Sequence, residues 1–380
     1  MLTPRYGVAS LPDVLPSALA ALGVEGSPDP LDLRTRLAGI RRIAVVLVDG
    51  LGLHLLPLAA PGAPVIADLL AGRLGTVSEL TSAFPSTTPV SLVSLGTGAA
   101  PGGHGQVGFF LNIPGTDRVL DPLTWRDDPD PAQWQPVPTQ FARAAAAGVH
   151  ASVASRPEYA GTGLSVSAYR GARYRGAADV DQLAAQVLAG LADAPALSYG
   201  YHPTLDSMGH LHGVDSPQWR AAATEVDGLL ARLVDGLPRD AALLVTADHG
   251  QLDVPGDLRF DVDADPRLAA GLTVVAGEPR VRYLHTRPGA APDVIDAWRS
   301  VLGDAAWVAS RDEAVATGWY GPVPPEHLAR IGDVVVVCRD RYAVLATRRE
   351  PEVIAKLIAF HGSTTPAEMA VPLIVVRGDR

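Results

Sequence analysis

Continuous apolar runs, rather than alternating ones, predict the main strands of this chain. The three clearest runs cover residues 43–48, 196–201 and 241–246, and a fourth covers 371–376. Runs of this kind are typical of strands buried on both faces, as in a parallel sheet that is covered by helices. The pattern therefore predicts a largely parallel sheet at the centre of the protein.

Segments with helical character lie between the apolar runs. They cover residues 17–22, 139–147, 180–191 and 217–234. This alternation predicts the α/β class, with a doubly wound, mostly parallel central sheet and helices on both faces. Functional groups in such sheets gather at the carboxyl ends of the strands. Each of the first three runs leads into an aspartate, so we expect these carboxylates to meet at one edge.

Two segments interrupt the alternation. Residues 106–135 carry Gly, Pro, Asp and Trp, which predicts a long loop near Thr87 and Thr88. Residues 251–350 contain shorter strand-like pieces and two helical segments, a pattern typical of a small α+β cap insertion over the sheet edge. We therefore predict three parts: an α/β core with an N-terminal arm at 1–250, a cap insertion at 251–350 and a return to the core at 351–380.

Composition and charge limit the partners. Hydrophobic residues make up 47% of the chain and charged residues 19%, as in globular proteins with a large core. The formal net charge of −10 argues against a nucleic-acid duplex, because phosphate backbones select basic surfaces. A small phosphorylated substrate stays compatible with this charge, since bound metal ions can supply local positive charge. No apolar run reaches about 18 residues, so we expect no membrane span.

Cysteine usage indicates a reducing compartment. Cys338 is the single cysteine and lies in an apolar run, so an intrachain disulfide is excluded and a buried, inert thiol is expected. The N-terminal residues lack the basic-then-apolar order of a signal peptide. We therefore predict a cytoplasmic location.

Two adjacent threonines precede a helix-length apolar run. Thr87 and Thr88 stand directly before Pro89, and Pro is favoured at the first position of a helix. Thr is a good N-cap, so we predict Thr88 at the N-cap, with its hydroxyl among the free N–H groups of the first turn. Those groups and the helix dipole attract anions. Thr88 is therefore a candidate nucleophile for phosphate, with simple helix capping as the alternative.

Carboxylates and imidazoles recur near the predicted strand ends. They are Asp49, Asp206, His210, Asp248, His249 and His361. Nitrogen and oxygen ligands without thiolates suit zinc or manganese. With Thr88 they offer too many donors for one four-coordinate ion but enough for two ions about 4 Å apart, an arrangement that suits phosphoryl displacement. Taken singly, each residue could instead form a turn, a helix-surface pair or a buried core histidine.

These motifs occur in an order that resembles a known family. In chain order they are Val48-Asp49-Gly50, Phe84-Pro85-Ser86-Thr87-Thr88, Thr97-Gly98, His104-Gly105, Asp206-Ser207-Met208-Gly209-His210, Thr246-Ala247-Asp248-His249-Gly250 and His361-Gly362. The series resembles the alkaline phosphatase superfamily, in its type I phosphodiesterase/nucleotide pyrophosphatase branch. The matching blocks lie within residues 43–105, 196–250 and 358–376, whereas 106–175 and 251–350 carry no matching motif.

The resemblance implies a hydrolase with two divalent metal ions, zinc being the first expectation and manganese the alternative. One ion would be held by Asp206, His210 and His361. The other would be held by Asp49, Asp248, His249 and Thr88. Thr88 would be the nucleophile and would form a phosphothreonine intermediate. The bond cleaved would be a phosphodiester or pyrophosphate bond of a small soluble substrate.

One departure from the family pattern leaves the substrate open. Members of the branch usually place an asparagine a few residues after the His-Gly pair, where it contacts a phosphoryl oxygen. Phe109 stands at about that position here, and Asn112 follows three residues later. A phosphomonoesterase, a phosphonoacetate-type C–P hydrolase and a catalytically inert metal-binding module therefore stay as alternatives. His104 and His212 lie beside the motifs without a ligand role, and we expect both to be structural.

Overall fold

Strands and helices alternate along residues 1–378, which the computed structural model describes. In chain order the strands are β1 (Arg42–Val48), β2 (Thr76–Thr81), β3 (Leu111–Asn112), β4 (Val119–Leu120), β5 (His150–Ser155), β6 (Arg173–Gly176), β7 (Ala196–His202), β8 (Ala241–Thr246), β9 (Leu252–Asp253), β10 (Arg259–Asp261), β11 (Leu272–Glu278), β12 (Val281–Thr286), β13 (Ala306–Ser310), β14 (Val334–Cys338), β15 (Ala343–Leu345), β16 (Ala359–Phe360) and β17 (Ala370–Arg377).

The α-helices are mostly short, and the longest one has 20 residues. In chain order they are α1 (Val14–Ala21), α2 (Leu33–Arg36), α3 (Leu56–Ala59), α4 (Pro64–Leu70), α5 (Thr88–Thr97), α6 (Pro101–His104), α7 (Pro131–Trp134), α8 (Gln140–Ala146), α9 (Gly163–Tyr169), α10 (Val180–Ala189), α11 (Thr204–His212), α12 (Pro217–Gly236), α13 (Pro266–Ala269), α14 (Ala291–Leu302), α15 (Arg311–Ala316), α16 (Pro325–Leu328), α17 (Glu352–Lys356) and α18 (Pro366–Met369). Among the described residues, none of these helices combines the length and the apolar character needed to cross a membrane.

Seven strands form the central sheet, in the order β2-β17-β8-β1-β7-β5-β6. The five strands from β8 to β6 run parallel, and β17 is antiparallel to both of its neighbours. Strands β7 and β8 are buried at every position, as expected for apolar strands that helices cover. The predicted α/β class with a mostly parallel central sheet is therefore confirmed.

The pairing register aligns the strand ends that carry the candidate site. Val48 at the end of β1 pairs with His202 at the end of β7, and Leu47 pairs with Thr246 at the end of β8. The antiparallel strand β17 brings its own beginning to the same edge, because Leu373 also pairs with Thr246. Residues that follow β1, β7 and β8, and residues that precede β17, therefore meet at one edge.

Residues 251–350 add no strand to the central sheet. They contain a four-stranded antiparallel sheet in the order β11-β12-β14-β13. One face of this second sheet packs on Trp298 of α14, and the other packs on an aromatic cluster that includes Phe84 and Tyr320. Phe84 precedes the two threonines, so the second sheet supports the loop that leads to them. The boundaries 1–250, 251–350 and 351–380 stay a prediction from the sequence.

Candidate active site

Thr88 lies at the sheet edge beside an acidic group of side chains. Its hydroxyl oxygen is 3.2 Å from His249 Nε2 and 3.5 Å from Asp49 Oδ2. His249 Nε2 is in turn 3.5 Å from Asp49 Oδ1 and 3.3 Å from Asp248 Oδ2. The ligand atoms of Asp49, Asp248 and His249 all lie within 4.8 Å of one another. This spacing suits one cation shared by the group.

A second group adjoins the first. Within α11, His210 Nε2 is 3.2 Å from Asp206 Oδ2, one helical turn away. The same nitrogen is 3.2 Å from His361 Nε2. The rings of His249 and His361 are stacked with their centroids 3.5 Å apart, and Asp206, His249 and His361 can also present ligand atoms within 4.8 Å of one another. The structure thus brings all seven residues singled out in the sequence to one place.

The three imidazoles are oriented by backbone carbonyls. In each of them Nδ1 faces a backbone carbonyl oxygen. The three pairs are His210 with Ala359 at 2.7 Å, His249 with Gly250 at 3.1 Å, and His361 with Ser86 at 3.0 Å. Because a carbonyl only accepts, this network assigns the proton to Nδ1 and leaves the lone pair on Nε2. The lone pairs therefore point at each other and at carboxylates, a repulsive arrangement that a bound cation relieves.

The burial of the carboxylates also indicates that this site needs a bound cation. The pKa of Asp49 is raised well above its usual value by burial, and the charges of Asp248 and Asp206 raise it further. Asp49 Oδ1 and Asp248 Oδ2 are buried and accept no hydrogen bond within the described part of the chain. Burial and the neighbouring His249 lower the pKa of His361 well below its usual value, so its imidazole is neutral, as a metal ligand must be. The residues fit divalent cations.

Three further residues, of which only Gly50 belongs to a motif, hold these ligands in place. The Tyr201 hydroxyl donates a hydrogen bond to Asp49 Oδ2, and Gln251 Nε2 donates to Asp206 Oδ1 at 2.9 Å. Gly50 N–H donates to Asp248 Oδ1 at 3.1 Å. Gly50 has φ +73°, and a Cβ there would lie 2.9 Å from Cβ of Asp206, so glycine is required at this turn. The Asp-Gly pair could have pointed to Gly50, whereas Tyr201 and Gln251 gave no local signal.

The prediction that Thr88 is the N-cap of its helix is wrong. The N-cap of α5 is Thr87, with φ −137° and ψ 146°, and the helix begins at Thr88. Pro89 therefore occupies the second helical position, which it tolerates because the N–H groups of the first turn have no intrahelical acceptor. Thr87 is fully buried, whereas Thr88 is partly exposed and lines the adjoining pocket. The hydroxyl that can reach a substrate is that of Thr88.

A pocket of about 380 Å³ opens above this cluster. Its walls include Phe109, Phe110, Leu123, Tyr159 and Ile354, and no arginine or lysine of the described chain lines it. Both the 106–135 segment and residues 251–350 contribute to the walls. Bound cations would therefore be the main source of positive charge for an anionic substrate.

The pocket also contains a carboxylate that the sequence did not indicate. Glu278 ends β11 and lines the pocket near His361, with its Oε2 4.0 Å from His361 Nδ1. Burial raises the pKa of Glu278 to about 8. Asn112 is not available to a phosphoryl group, because its side-chain amide donates to the carbonyls of Thr116 and Arg118 within the β3–β4 hairpin. Phe109 lines the pocket instead.

The remaining histidines near the motifs have no ligand role in the structure. His104 is fully buried; its Nε2 is 2.8 Å from the Ser94 hydroxyl, and its Nδ1 accepts from the N–H of Gln106. His212 is exposed at the end of α11. Cys338 is buried in β14, where burial raises the pKa of its thiol to about 11. The thiol is therefore protonated at neutral pH.

An α/β sheet whose edge gathers carboxylates, imidazoles and a threonine hydroxyl is typical of metal-dependent phosphoric ester hydrolases. The model of the family described as type I phosphodiesterase/nucleotide pyrophosphatase matches residues 43–364. The chain therefore belongs to this family, and the predicted family and enzyme class are confirmed. No curated protein matches the chain.

Solved structures with the same fold include ectonucleotide pyrophosphatase/phosphodiesterase 5 from two mammals. The murine protein matches with a TM-score of 0.69 and 20% identity over 89% of each chain. An inactive threonine-to-alanine variant of it, in complex with AMP, matches with a TM-score of 0.70 and 19% identity over 89% of this chain and 88% of that one. The human protein matches with a TM-score of 0.68 and 18% identity over 87% of each chain.

Proposed function

We propose that the chain hydrolyses phosphodiester or pyrophosphate bonds of a small nucleotide-like substrate, with Thr88 as nucleophile beside two zinc ions. The observation that carries this proposal is the position of the Thr88 hydroxyl. It faces the pocket at the first turn of α5, 3.2 Å from His249 Nε2 and 3.5 Å from Asp49 Oδ2. An oxygen placed there can reach a phosphorus atom and a cation at the same time.

The donor set supports zinc, with manganese as the alternative, because it consists of carboxylates and imidazoles without a thiolate. Asp49, Asp248, His249 and Thr88 would hold one ion, and Asp206, His210 and His361 the other. When bound, such ions lower the pKa of a hydroxyl and neutralise charge on phosphoryl oxygens.

The chain's own residues would then act in two steps. The Thr88 oxygen forms a bond to phosphorus as the bond to the leaving-group oxygen breaks, which gives a phosphothreonine. Water then attacks the same phosphorus and releases Thr88. The N-terminal turn of α5 favours the negative charge that develops near Thr88. The inactivity of the threonine-to-alanine variant of the murine relative supports a threonine in this role.

The pocket walls favour a diester over a monoester. A monoester carries two negative charges, and the walls offer no arginine or lysine among the described residues while presenting Glu278 and Asp121. A diester carries one charge and brings a second group, which the aromatic and aliphatic walls can cover. The complex of the murine relative with AMP supports a nucleotide as that group.

A comparison of two chromogenic esters tests this proposal. For the zinc-loaded protein, kcat/KM should be higher for bis(p-nitrophenyl) phosphate than for p-nitrophenyl phosphate, by about tenfold or more. The physical reason is the single charge and the second apolar group of the diester. A clear reversal would assign the site to a phosphomonoesterase. Hydrolysis of neither ester would favour the C–P hydrolase or the inert metal-binding module.

Two predictions from the sequence belong to this proposal as well. A cytoplasmic location is proposed from the single cysteine. A small molecule rather than a nucleic-acid duplex is proposed as the partner, because the net charge is −10 and the pocket walls lack basic residues in the described chain.

A further inference from the structure

A second pocket lies at the same edge of the central sheet. It has a volume of about 270 Å³ and shares Tyr201 and Pro203 with the pocket above Thr88. Tyr201 and His202 are successive residues at the end of β7, and side chains of successive strand residues point to opposite faces. The two pockets therefore adjoin each other across the end of this strand.

Arg156 supplies a positive charge at the boundary between the two pockets. It follows β5 and lines the second pocket. Its charge lowers the pKa of the Tyr159 hydroxyl, which burial raises and which belongs to the wall of the first pocket. No carboxylate of the described residues forms an ion pair with the Arg156 side chain. The guanidinium also forms a side-chain hydrogen bond with the Tyr159 hydroxyl, and its remaining N–H groups can bind an anion.

His202 gives an independent indication of a ligand. Its side chain is 6% exposed, and its Nε2 lines the second pocket without a hydrogen-bond partner in the described chain. Burial and the charge of Arg156 lower its pKa to about 4, so the imidazole is neutral and can donate one hydrogen bond. Glu225 Oε1 lies 3.3 Å from this nitrogen, but the Glu225 side chain is 43% exposed and can turn to solvent.

The first turn of α10 completes the second pocket. Val180, the first residue of α10, lines it, as does Ala178, which precedes the helix. The N–H groups of Ala178 and Gln182 are already bonded to side chains of this segment, so the N–H groups of the first turn that can meet an anion are those of Val180 and Asp181. The other acidic side chain present, Asp179, is already engaged, because it accepts from Gln182 N at 2.8 Å and from Gln182 Nε2 at 3.0 Å. The donors in the second pocket are therefore the guanidinium of Arg156, the ring of His202 and the start of α10.

We propose that the second pocket is an anion subsite that takes a phosphate or carboxylate group. This proposal rests on the proposed function in one respect: the anion would be a second charged group on the leaving portion of the substrate. A free inorganic phosphate ion offers the same chemistry. In both cases Arg156 provides the charge, while His202 and the first turn of α10 provide neutral donors.

The first test is binding of inorganic phosphate to the full chain after treatment with a chelator, which removes the competing site at the metal ligands. At constant ionic strength, replacing chloride with phosphate at about ten times Kd should raise Tm by about 2–4 °C. The rise should disappear in Arg156→Gln, persist in part in Arg156→Lys, and be unchanged in Arg267→Gln, an exposed arginine in the 251–350 region. Absence of a rise in the unmodified chain, or an equal rise in Arg156→Gln, would overturn the subsite.

The second test identifies the source of the anion, with the zinc-loaded protein. In Arg156→Gln, kcat/KM for a nucleoside triphosphate, whose leaving group is pyrophosphate, should fall about 10-fold to 100-fold. The value for bis(p-nitrophenyl) phosphate, which has no second anion, should stay within about twofold.

Together, the Tm and kinetic measurements distinguish a failure of the anion subsite from a failure of the proposed hydrolase function. If phosphate raises Tm but Arg156→Gln changes kcat/KM equally little for both substrates, the subsite exists and binds free phosphate. That result overturns the assignment of the anion to the leaving portion of the substrate. Equal losses on both substrates, without a phosphate-dependent rise, overturn the subsite. If the unmodified protein hydrolyses neither substrate, the proposed function fails, and the Tm measurement still decides whether the anion site exists.

Discussion

At the scale of single residues, the candidate site depends on which atom of each side chain is left without a partner. Nδ1 of the three histidines is engaged by backbone carbonyls, so each Nε2 is available as a ligand. Asp49 Oδ1 and Asp248 Oδ2 are buried without hydrogen bonds in the described chain. Unpartnered buried acceptors are costly, and their concentration in one place is the local sign of a cation site.

Tyr201 gives a prediction at this scale. Its hydroxyl donates to Asp49 Oδ2 and thereby fixes the orientation of that carboxylate. In Tyr201→Phe we expect zinc affinity to fall about 10-fold to 100-fold, because partners of metal ligands have effects of this size. Competition with a chromophoric chelator measures the affinity, and Tyr342→Phe, in the 251–350 region, is the matched control. Equal affinities in both variants would show that the hydroxyl does not support the ligand.

The sequence could identify residues at this scale only where a motif carried them. The seven residues predicted from the motifs meet in the structure, because each lies beside a strand end or in a helix turn with a recognisable spacing. Tyr201 lies within an apolar strand, and Glu278 lies at the end of a strand in a region without motifs. Their roles depend on long-range contacts, which local pattern does not encode.

At the scale of elements, the burial of each strand decided whether it could be predicted. β1, β7 and β8 are buried throughout or nearly so, and their apolar runs predicted them within a residue or two. β2 and β6 lie at the edges of the sheet and expose many of their side chains, so polar residues such as those of Arg173–Gly176 interrupt the pattern. β5 lies inside the sheet and has four buried positions, but two of them are Ser152 and Ser155, so it does not read as an apolar run.

One contact between elements links the 251–350 region to the loop that carries His361. Arg280 and Glu368 are both fully buried, and the guanidinium donates to both carboxylate oxygens at 2.9 and 2.8 Å. Glu368 also accepts from Ser363 N–H at 3.0 Å, and Ser86 donates through its hydroxyl to the carbonyl of Ser363 at 2.7 Å. This network joins the loop after His361 to the segment before Thr88.

Breaking this ion pair should be strongly destabilising. Glu368→Gln leaves the Arg280 charge buried without its counterion, and removal of one partner of a buried pair costs about 3–5 kcal/mol. The free energy of unfolding in urea measures the effect. Glu79→Gln removes an exposed carboxylate 3.6 Å from Arg5 and should cost less than about 1 kcal/mol. Similar values for the two variants would contradict a structural role for the buried pair.

At the scale of the whole molecule, the candidate site joins five distant parts of the chain. Its Asp and His residues follow β1, β7 and β8 or precede β17, and Thr88 begins α5, so bound cations would connect segments that are far apart in sequence. Ligands that bind only the folded state stabilise it by mass action. Bound cations would also reduce the repulsion among the buried carboxylates, in which the charges of Asp248 and Asp206 raise the pKa of Asp49.

Metal removal gives the prediction at this scale. Elemental analysis of the zinc-loaded protein should find about two ions per chain, and His361→Ala should hold fewer. Treatment with a chelator should lower Tm by about 10 °C, as expected if each site is loaded at about 100 times Kd. Readdition of zinc should restore the Tm. Less than one ion per chain after incubation with zinc, or a Tm that does not respond to chelator, would contradict two metal sites.

The most direct test of the central claim compares the two adjacent threonines by kcat on a phosphodiester substrate, with zinc content measured on the same samples. Thr88→Ala should lower kcat by about 10⁴-fold or more and keep its zinc, because the Asp and His ligands remain. Thr88→Ser should keep measurable activity. Thr87→Ala is the matched control and should cost far less, because Thr87 is buried outside the pocket. If Thr88→Ala stays active while Thr87→Ala is zinc-loaded but inactive, Thr88 is not the nucleophile.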